Sequence, residues 1–198
     1  MKRLTVSGCI LLLLSLSAWA QEVRQEVTIQ GSGVFPKGTT DSGITSKPTY
    51  SGGVLAGYRF NINRWLAVEG NYDYFRNSQK YSNSAGSTSV PTNLHAVTGL
   101  AVFKIPTSGL MKYYLRPYAL AGGGAMIFDP RDTNSVSKQT RGSFVYGAGA
   151  DMPLARHIAI RAEYRGLVYK VPDFGLSPLR VDKFTHAAVP SAGLVFTF

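Results

Sequence analysis

Along most of this chain apolar side chains recur at every second position, and no long segment carries the i, i+3, i+4 stripe of an amphipathic helix. Runs of Gly, Ser, Asn, Thr and Pro interrupt the alternation and divide it into eight segments: 26–35, 50–60, 65–76, 93–104, 115–128, 142–152, 157–169 and 184–198. Most reach the roughly 9–11 residues that a tilted strand needs to cross a bilayer. The connections alternate in length. Those at 61–64, 105–114 and 153–156 are short, and those at 36–49, 77–92, 129–141 and 170–183 are longer and more polar. Short turns on one side and long loops on the other are the asymmetry of a transmembrane β-barrel, with the turns in the periplasm and the loops outside.

The third, seventh and last segments show which face is which. In the third, Leu66, Val68, Tyr72 and Tyr74 share one face with Gly70, and Ala67, Glu69, Asn71 and Asp73 share the other. In the seventh, Ile158, Ile160, Ala162 and Tyr164 oppose Ala159, Arg161, Glu163 and Arg165. In the last, Leu194, Phe196 and Phe198 oppose Gly193, Val195 and Thr197. Apolar side chains outward and charged ones inward reverse the arrangement of a soluble ligand-binding barrel, whose cavity is apolar and whose outside is wet. Segments four to six are rich in small residues (Ala119 to Ala125, Gly147 to Ala150), so their faces and register are weakly specified. Aromatic residues gather near segment ends (Tyr50, Tyr58, Phe60, Trp65, Tyr74, Phe75, Tyr169, Phe184), as girdles at the two membrane interfaces would. Pro190 has no N–H for a closed ladder, which places it at the outer rim or a bulge.

The first twenty residues read as a cleavable export signal: Lys2 and Arg3, an apolar stretch through Ile10 to Leu14 and Leu16, then Ala18-Trp19-Ala20. The apolar stretch is too short for a spanning helix. Processing after Ala20 leaves residues 21–198 as one barrel domain. Cys9, the single cysteine, leaves with the leader, so neither a disulfide nor a cysteine metal site is expected in the mature chain. Of 21 basic and 11 acidic residues, two basic ones are in the leader, so the mature surplus is eight positive charges. That surplus suits anionic company, which outside a cell means lipid phosphates or acidic polysaccharide rather than nucleic acid.

The segments Arg116-Pro117-Tyr118-Ala119-Leu120-Ala121-Gly122-Gly123-Gly124, Tyr146-Gly147-Ala148-Gly149-Ala150-Asp151 and Arg161-Ala162-Glu163-Tyr164-Arg165 resemble the eight-stranded outer-membrane barrel superfamily. That group includes the OmpA transmembrane domain, the OmpX and Ail adhesin-like proteins, the opacity proteins and many proteins labelled as the porin family. The resemblance implies an all-β, eight-stranded antiparallel up-and-down barrel. It also implies a monomer inserted by the outer-membrane assembly machinery, with Leu194, Phe196 and Phe198 in the final strand as the recognition signal.

An eight-stranded interior is filled by side chains. Charges inside it must therefore pair, and Arg59, Glu69, Asp73, Asp151, Arg161, Glu163 and Arg165 are expected to form a structural ion network in the lumen. The nine loop cations Lys37, Lys47, Lys80, Arg131, Lys138, Arg141, Lys170, Arg180 and Lys183 are expected to face outward, toward lipopolysaccharide phosphates or anionic glycans of a host or neighbour. Three readings of function follow. The first is a surface-contact or envelope-integrity barrel acting through its four outer loops. The second is a narrow porin-like channel for small solutes, and the third is lipid A modification. For the third, a hydrolase needs Ser or Thr near a histidine oriented by an acid, and none of His95, His157 and His186 stands two places before a serine. No enzyme activity and no cofactor is expected. Gly122-Gly123-Gly124 lacks the Lys and Ser or Thr of a phosphate loop and reads as close strand packing. The loop acids Asp41, Asp129, Asp132, Asp173 and Asp182 lack the close spacing of a calcium loop.

Overall fold

The computed structural model describes residues 25–41, 44–83, 86–107, 114–130, 138–172 and 183–198. The leader at 1–20 lies outside the described residues. The elements are β1 (Gln25–Pro36), β2 (Thr39–Asp41), β3 (Ile44–Pro48), β4 (Ser51–Asn61), β5 (Leu66–Asn83), β6 (Gly86–Lys104), β7 (Arg116–Pro130), β8 (Gln139–Ala155), β9 (Ile158–Lys170) and β10 (Phe184–Thr197). All pairings are antiparallel. β4-β1-β10-β9-β8-β7-β6 lie side by side, and β5 pairs with both β4 and β6, which closes eight strands into a barrel. The short β2 and β3 lie in the first outer connection and extend the sheet beyond β5.

Two of the long connections are less loop-like than their composition suggests. β5 and β6 stay paired out to Asn83 and Gly86, so 77–83 and 86–92 form a two-stranded extension, and β3 joins it through pairs such as Lys47 with Lys80. Outside the bilayer neither face of a strand needs to be apolar. The polar run Ser78-Gln79-Lys80 therefore lacks the alternation that marks the spanning segments. The short turn after β4 is held by Asn63, whose Oδ1 accepts from the main-chain N–H of Trp65 and of Leu66, each at 2.8 Å.

The faces follow parity. Val68, Tyr72, Ile158, Tyr164, Leu194 and Phe198 are exposed on the outer wall, and Glu69, Asn71, Asp73, Arg161, Glu163 and Arg165 are buried within. In β6 and β7, where small residues blur the pattern, Leu94, Ala96, Leu100, Val102, Tyr118, Leu120, Met126 and Phe128 point inward. Gly122 and Gly124 share their face, and the glycine at 124 is required by packing. A β-carbon there would lie 2.1 Å from the Val97 carbonyl oxygen of β6.

Two expectations need correction. Phe75 and Tyr169 are not girdle residues: both are buried inside the barrel, whereas Tyr50, Tyr58, Phe60, Trp65 and Phe184 are exposed. Their inward parity, set by the charged residues two and four places before them, prevails over the tendency of rings to sit at interfaces. Pro190 occupies no bulge. Ser32 pairs with Ser191 and Phe35 with Ala188 in one continuous register, with Gly33 and Val34 between them unpaired toward β10 though paired with β4, while Pro190 stays in register with Tyr164 of β9. A single missing N–H opens both rungs, because the proline nitrogen faces β1.

Candidate functional site

The charged interior begins as cross-strand neighbours. Register sets Glu26 of β1 opposite Arg59 of β4, Arg59 opposite Glu69 of β5, and Asp151 of β8 opposite Arg161 of β9. Opposed residues of an antiparallel pair share a face, so alternating charge across the strands is attractive at each step. The barrel then folds these two rows together. Arg161 donates from Nε and Nη2 to both oxygens of Asp151 at 2.6 and 2.8 Å, from Nη2 to Glu26 Oε2 at 2.7 Å, and from Nη1 to Thr28 Oγ1 at 3.1 Å and Glu69 Oε2 at 3.4 Å. Such fork-to-carboxylate contacts are the strong, directional form of the ion pair.

Arg59 donates from Nε to Glu69 at 2.5 Å. Arg165 donates from Nε to Glu163 and from Nη2 to Glu69 Oε1 at 3.0 Å, and its Nη1 stands 3.7 Å from Asp73. Glu69 thus meets three arginines, each at most 1% exposed. All seven residues singled out in the sequence lie in this one cluster. Four participants had no charge alternation to reveal them. Glu26 binds Asn61 Nδ2 at 2.9 Å, and Lys104 pairs with Glu26 at 3.6 Å. Tyr118 donates to Glu163 at 2.5 Å and lies beneath Arg59, whose guanidinium carbon is 4.2 Å from the ring centre. For Glu26 the signal was available, since Val27 and Ile29 are exposed and Glu26, Thr28, Gln30 and Ser32 buried. Glycine makes room for these long side chains: a β-carbon at Gly149 would lie 2.5 Å from the Tyr118 hydroxyl.

Toward the outer loops the filling changes character. Val34, Phe75, Leu94, Met126, Phe128, Val145, Leu167, Tyr169 and Val189 are buried, and the Phe128 and Tyr169 rings stand 5.9 Å apart. Near the short turns the lumen thus holds the ionic cluster, with Ala67, Leu100, Val102 and Leu120 packed beside it, and the tier above is mainly apolar, with Asn77, Thr92 and Ser143 among its buried polar residues. Below the ionic tier, between the short turns, lies an open vestibule of about 800 Å³ with Arg59 and Tyr118 among its lining residues.

The remaining candidates scatter. Lys37, Lys138 and Lys183 are exposed near strand ends, Arg141 lies within β8 rather than in a loop, and Lys170 ends β9. Lys47 and Lys80 stand opposite each other in the projecting sheet. Arg131 and Arg180, with Asp132, Asp173 and Asp182, lie outside the described residues. Asp41 and Asp129 fall in β2 and β7. His95 Nδ1 is 2.6 Å from the Tyr72 hydroxyl and His186 Nε2 is 3.1 Å from that of Tyr146, both on the outer wall, and His157 Nδ1 is 3.0 Å from the Thr197 carbonyl oxygen.

Residues 7–189 match the family model described as the outer membrane protein beta-barrel domain. The chain belongs to that family. Among solved structures, it is similar to OprG from Pseudomonas aeruginosa (12% identity, TM-score 0.67, 88% of this chain and 95% of that one). Neisserial surface protein A resembles it at 15% identity and a TM-score of 0.64, over 88% of this chain and 97% of that one. Ail, the attachment invasion locus protein of Yersinia pestis, resembles it at 18% identity and a TM-score of 0.50, over 89% and 97%. At these identities the likeness is one of fold. No curated protein matches the sequence. Family and fold together make this an integral barrel of the bacterial outer membrane, lying in its lipid.

Proposed function

We propose that this family member is a closed, non-enzymatic scaffold that serves surface contact or envelope integrity through its outer connections. The observation that carries the reading is the two-tier filling of the lumen: Arg161 and its carboxylates below, Phe75, Leu94 and Phe128 above. A charged plug alone leaves water-filled paths, and an apolar plug alone gives little directional order; stacked, they stop ions and fix the barrel's shape. Work then falls to the projecting parts, as on other rigid scaffolds.

The loop cations, Lys37, Lys138 and Lys183 among them, would make contact with lipopolysaccharide phosphates or anionic glycans. Leu194, Phe196 and Phe198, on the outward face of β10, would be read by the assembly machinery, and the barrel would act as a monomer. The non-enzymatic reading is supported by the contacts the histidines make: His95 and His186 engage tyrosines, and His157 engages the Thr197 main-chain carbonyl.

Binding of the purified barrel to lipopolysaccharide, followed by surface plasmon resonance from low to high salt, tests the electrostatic part. Affinity should fall steeply as the screening length shrinks from about 30 Å to about 8 Å. Binding indifferent to salt would refute it. A narrow channel is the second reading, and the vestibule between the turns favours it, since it opens that end of the lumen to solvent. Planar-bilayer recording separates the two: silence fits the plug, and steady selective opening fits the channel.

A further inference from the structure

We propose that the outer wall of β5 and β6 carries a seat for one molecule of lipid A, the phosphorylated and acylated anchor of lipopolysaccharide. The proposal rests on the reading that anionic lipopolysaccharide is what the outer side meets, and it adds a contact on the wall to those of the loops. Lipid-facing positions of a spanning strand are apolar as a rule. At the outer ends of β5 and β6 they are not. Tyr72, Tyr74 and Arg76 of β5 share the outward face with Asn93 and His95 of β6, which stand opposite Arg76 and Tyr74.

These side chains are tied to one another. Arg76 donates from Nε to the Tyr74 hydroxyl at 3.2 Å, and that hydroxyl donates to Asn93 Oδ1 at 3.3 Å. The Tyr72 hydroxyl lies 2.6 Å from His95 Nδ1, and the His95 ring stands 5.1 Å from that of Tyr74. A guanidinium held by its Nε keeps its two terminal nitrogens for a guest, in the fork that matches a phosphate. With Tyr72 donating to Nδ1, the His95 ring hydrogen sits on Nε2 as one more donor. Asp129, opposite Asn93 on β7, places an acceptor beside them. A phosphorylated sugar answers both needs, with acceptors on its phosphate and donors on its hydroxyls.

Below this cluster the wall is notched. Gly70 of β5, Gly99 of β6 and Gly123 of β7 stand in one row across the strands, and a β-carbon on Gly70 or Gly99 would meet nothing within 4 Å among the described residues. The recess holds about 420 Å³, with Tyr58, Phe60, Val68 and Ala101 among its borders. Its depth identifies the occupant. Arg76 lies six residues beyond Gly70, about 20 Å of strand and about 15 Å of depth at a tilt of roughly 40°. That is half of a hydrocarbon core about 30 Å thick, so a lipid whose phosphate rests on Arg76 lays an acyl chain across the notch. Polar cluster and recess are placed for the two ends of one outer-leaflet lipid.

Native mass spectrometry of membrane-extracted, processed protein in detergent tests this with defined lipids. Diphosphoryl lipid A should add as one tightly held molecule, ahead of its monophosphoryl form and of phosphatidylethanolamine. R76Q, altered at an exposed position, should bind diphosphoryl lipid A roughly fivefold more weakly and lose the preference over the monophosphoryl form. G99L fills the recess where there is room for a side chain. It should weaken both forms of lipid A while keeping the preference between them. Mobility before and after boiling confirms that each variant folds.

Phosphatidylethanolamine matching lipid A would overturn the proposal, as would parental affinity in either variant. Lipid A bound equally by the parent and both variants would return the contact to the loops and leave the proposed function standing. No lipid A on the parent would remove the wall site and the lipopolysaccharide reading together.

Discussion

The lower lumen, near the turns, and the upper lumen, near the loops, solve one problem with opposite materials. An eight-stranded cylinder must be filled. In the lower half, three arginines and five carboxylates fill it with long side chains whose charges find partners across two to three strands. In the upper half, Phe75, Leu94, Met126 and Phe128 fill it as a small hydrophobic core. The lower tier carries a large desolvation penalty, which only complete pairing offsets, so it tolerates loss of a member badly. The upper tier gains from each buried methylene separately and fails gradually. Directional contacts below and additive ones above suggest that the lower half sets strand register and the upper half adds stability once register is set.

Replacement of Arg161 by Met should give the largest effect. Glu26, Asp151 and Glu69 would each lose a donor, for a loss of about 4 kcal/mol in denaturant unfolding of detergent-folded barrel. A loss below that of an apolar truncation would break the contrast between the tiers. Phe128→Ala comes next, at about 3 kcal/mol, with a cavity beside Tyr169. Neither change alone should produce bilayer conductance, because the other tier still seals the path; R161M and F128A combined should. Conductance from Phe128→Ala alone would show that the ionic tier leaks. The smallest effect belongs to Pro190→Val, which returns a donor toward Gly33 and should stabilise the barrel by about 1 kcal/mol, with slower hydrogen exchange at Gly33 than in the parent.

The two tiers also differ in how far they could be read from residues alone. The lower one was legible wherever a strand alternates charge with aliphatic side chains, as Glu69 and Asp73 do with Val68 and Tyr72, because only one parity keeps ions out of lipid. Where a single charge stands amid small residues, as with Lys104, or where the partner is a phenol, as with Tyr118, no alternation marks it. The upper tier was hidden for a related reason. In β6 and β7 both faces are apolar, so outward Val97 and inward Leu94 look alike until the sheet closes. Phe75 and Tyr169 were misplaced for another reason: rings near strand ends were assigned to the membrane interfaces although the charged parity of β5 and β9 turns both inward. The two-stranded extension was missed because hydrogen bonding, not side-chain pattern, defines it.

Until β1 and β10 meet, each is an open edge, and the strand that completes the cylinder offers its unpaired donors and acceptors to any passing chain. Pro190 withdraws one donor from that edge in its middle. Natural sheets use proline in this way to discourage pairing with strangers, so the rung it removes from the finished wall also shields the unfinished one from aggregation.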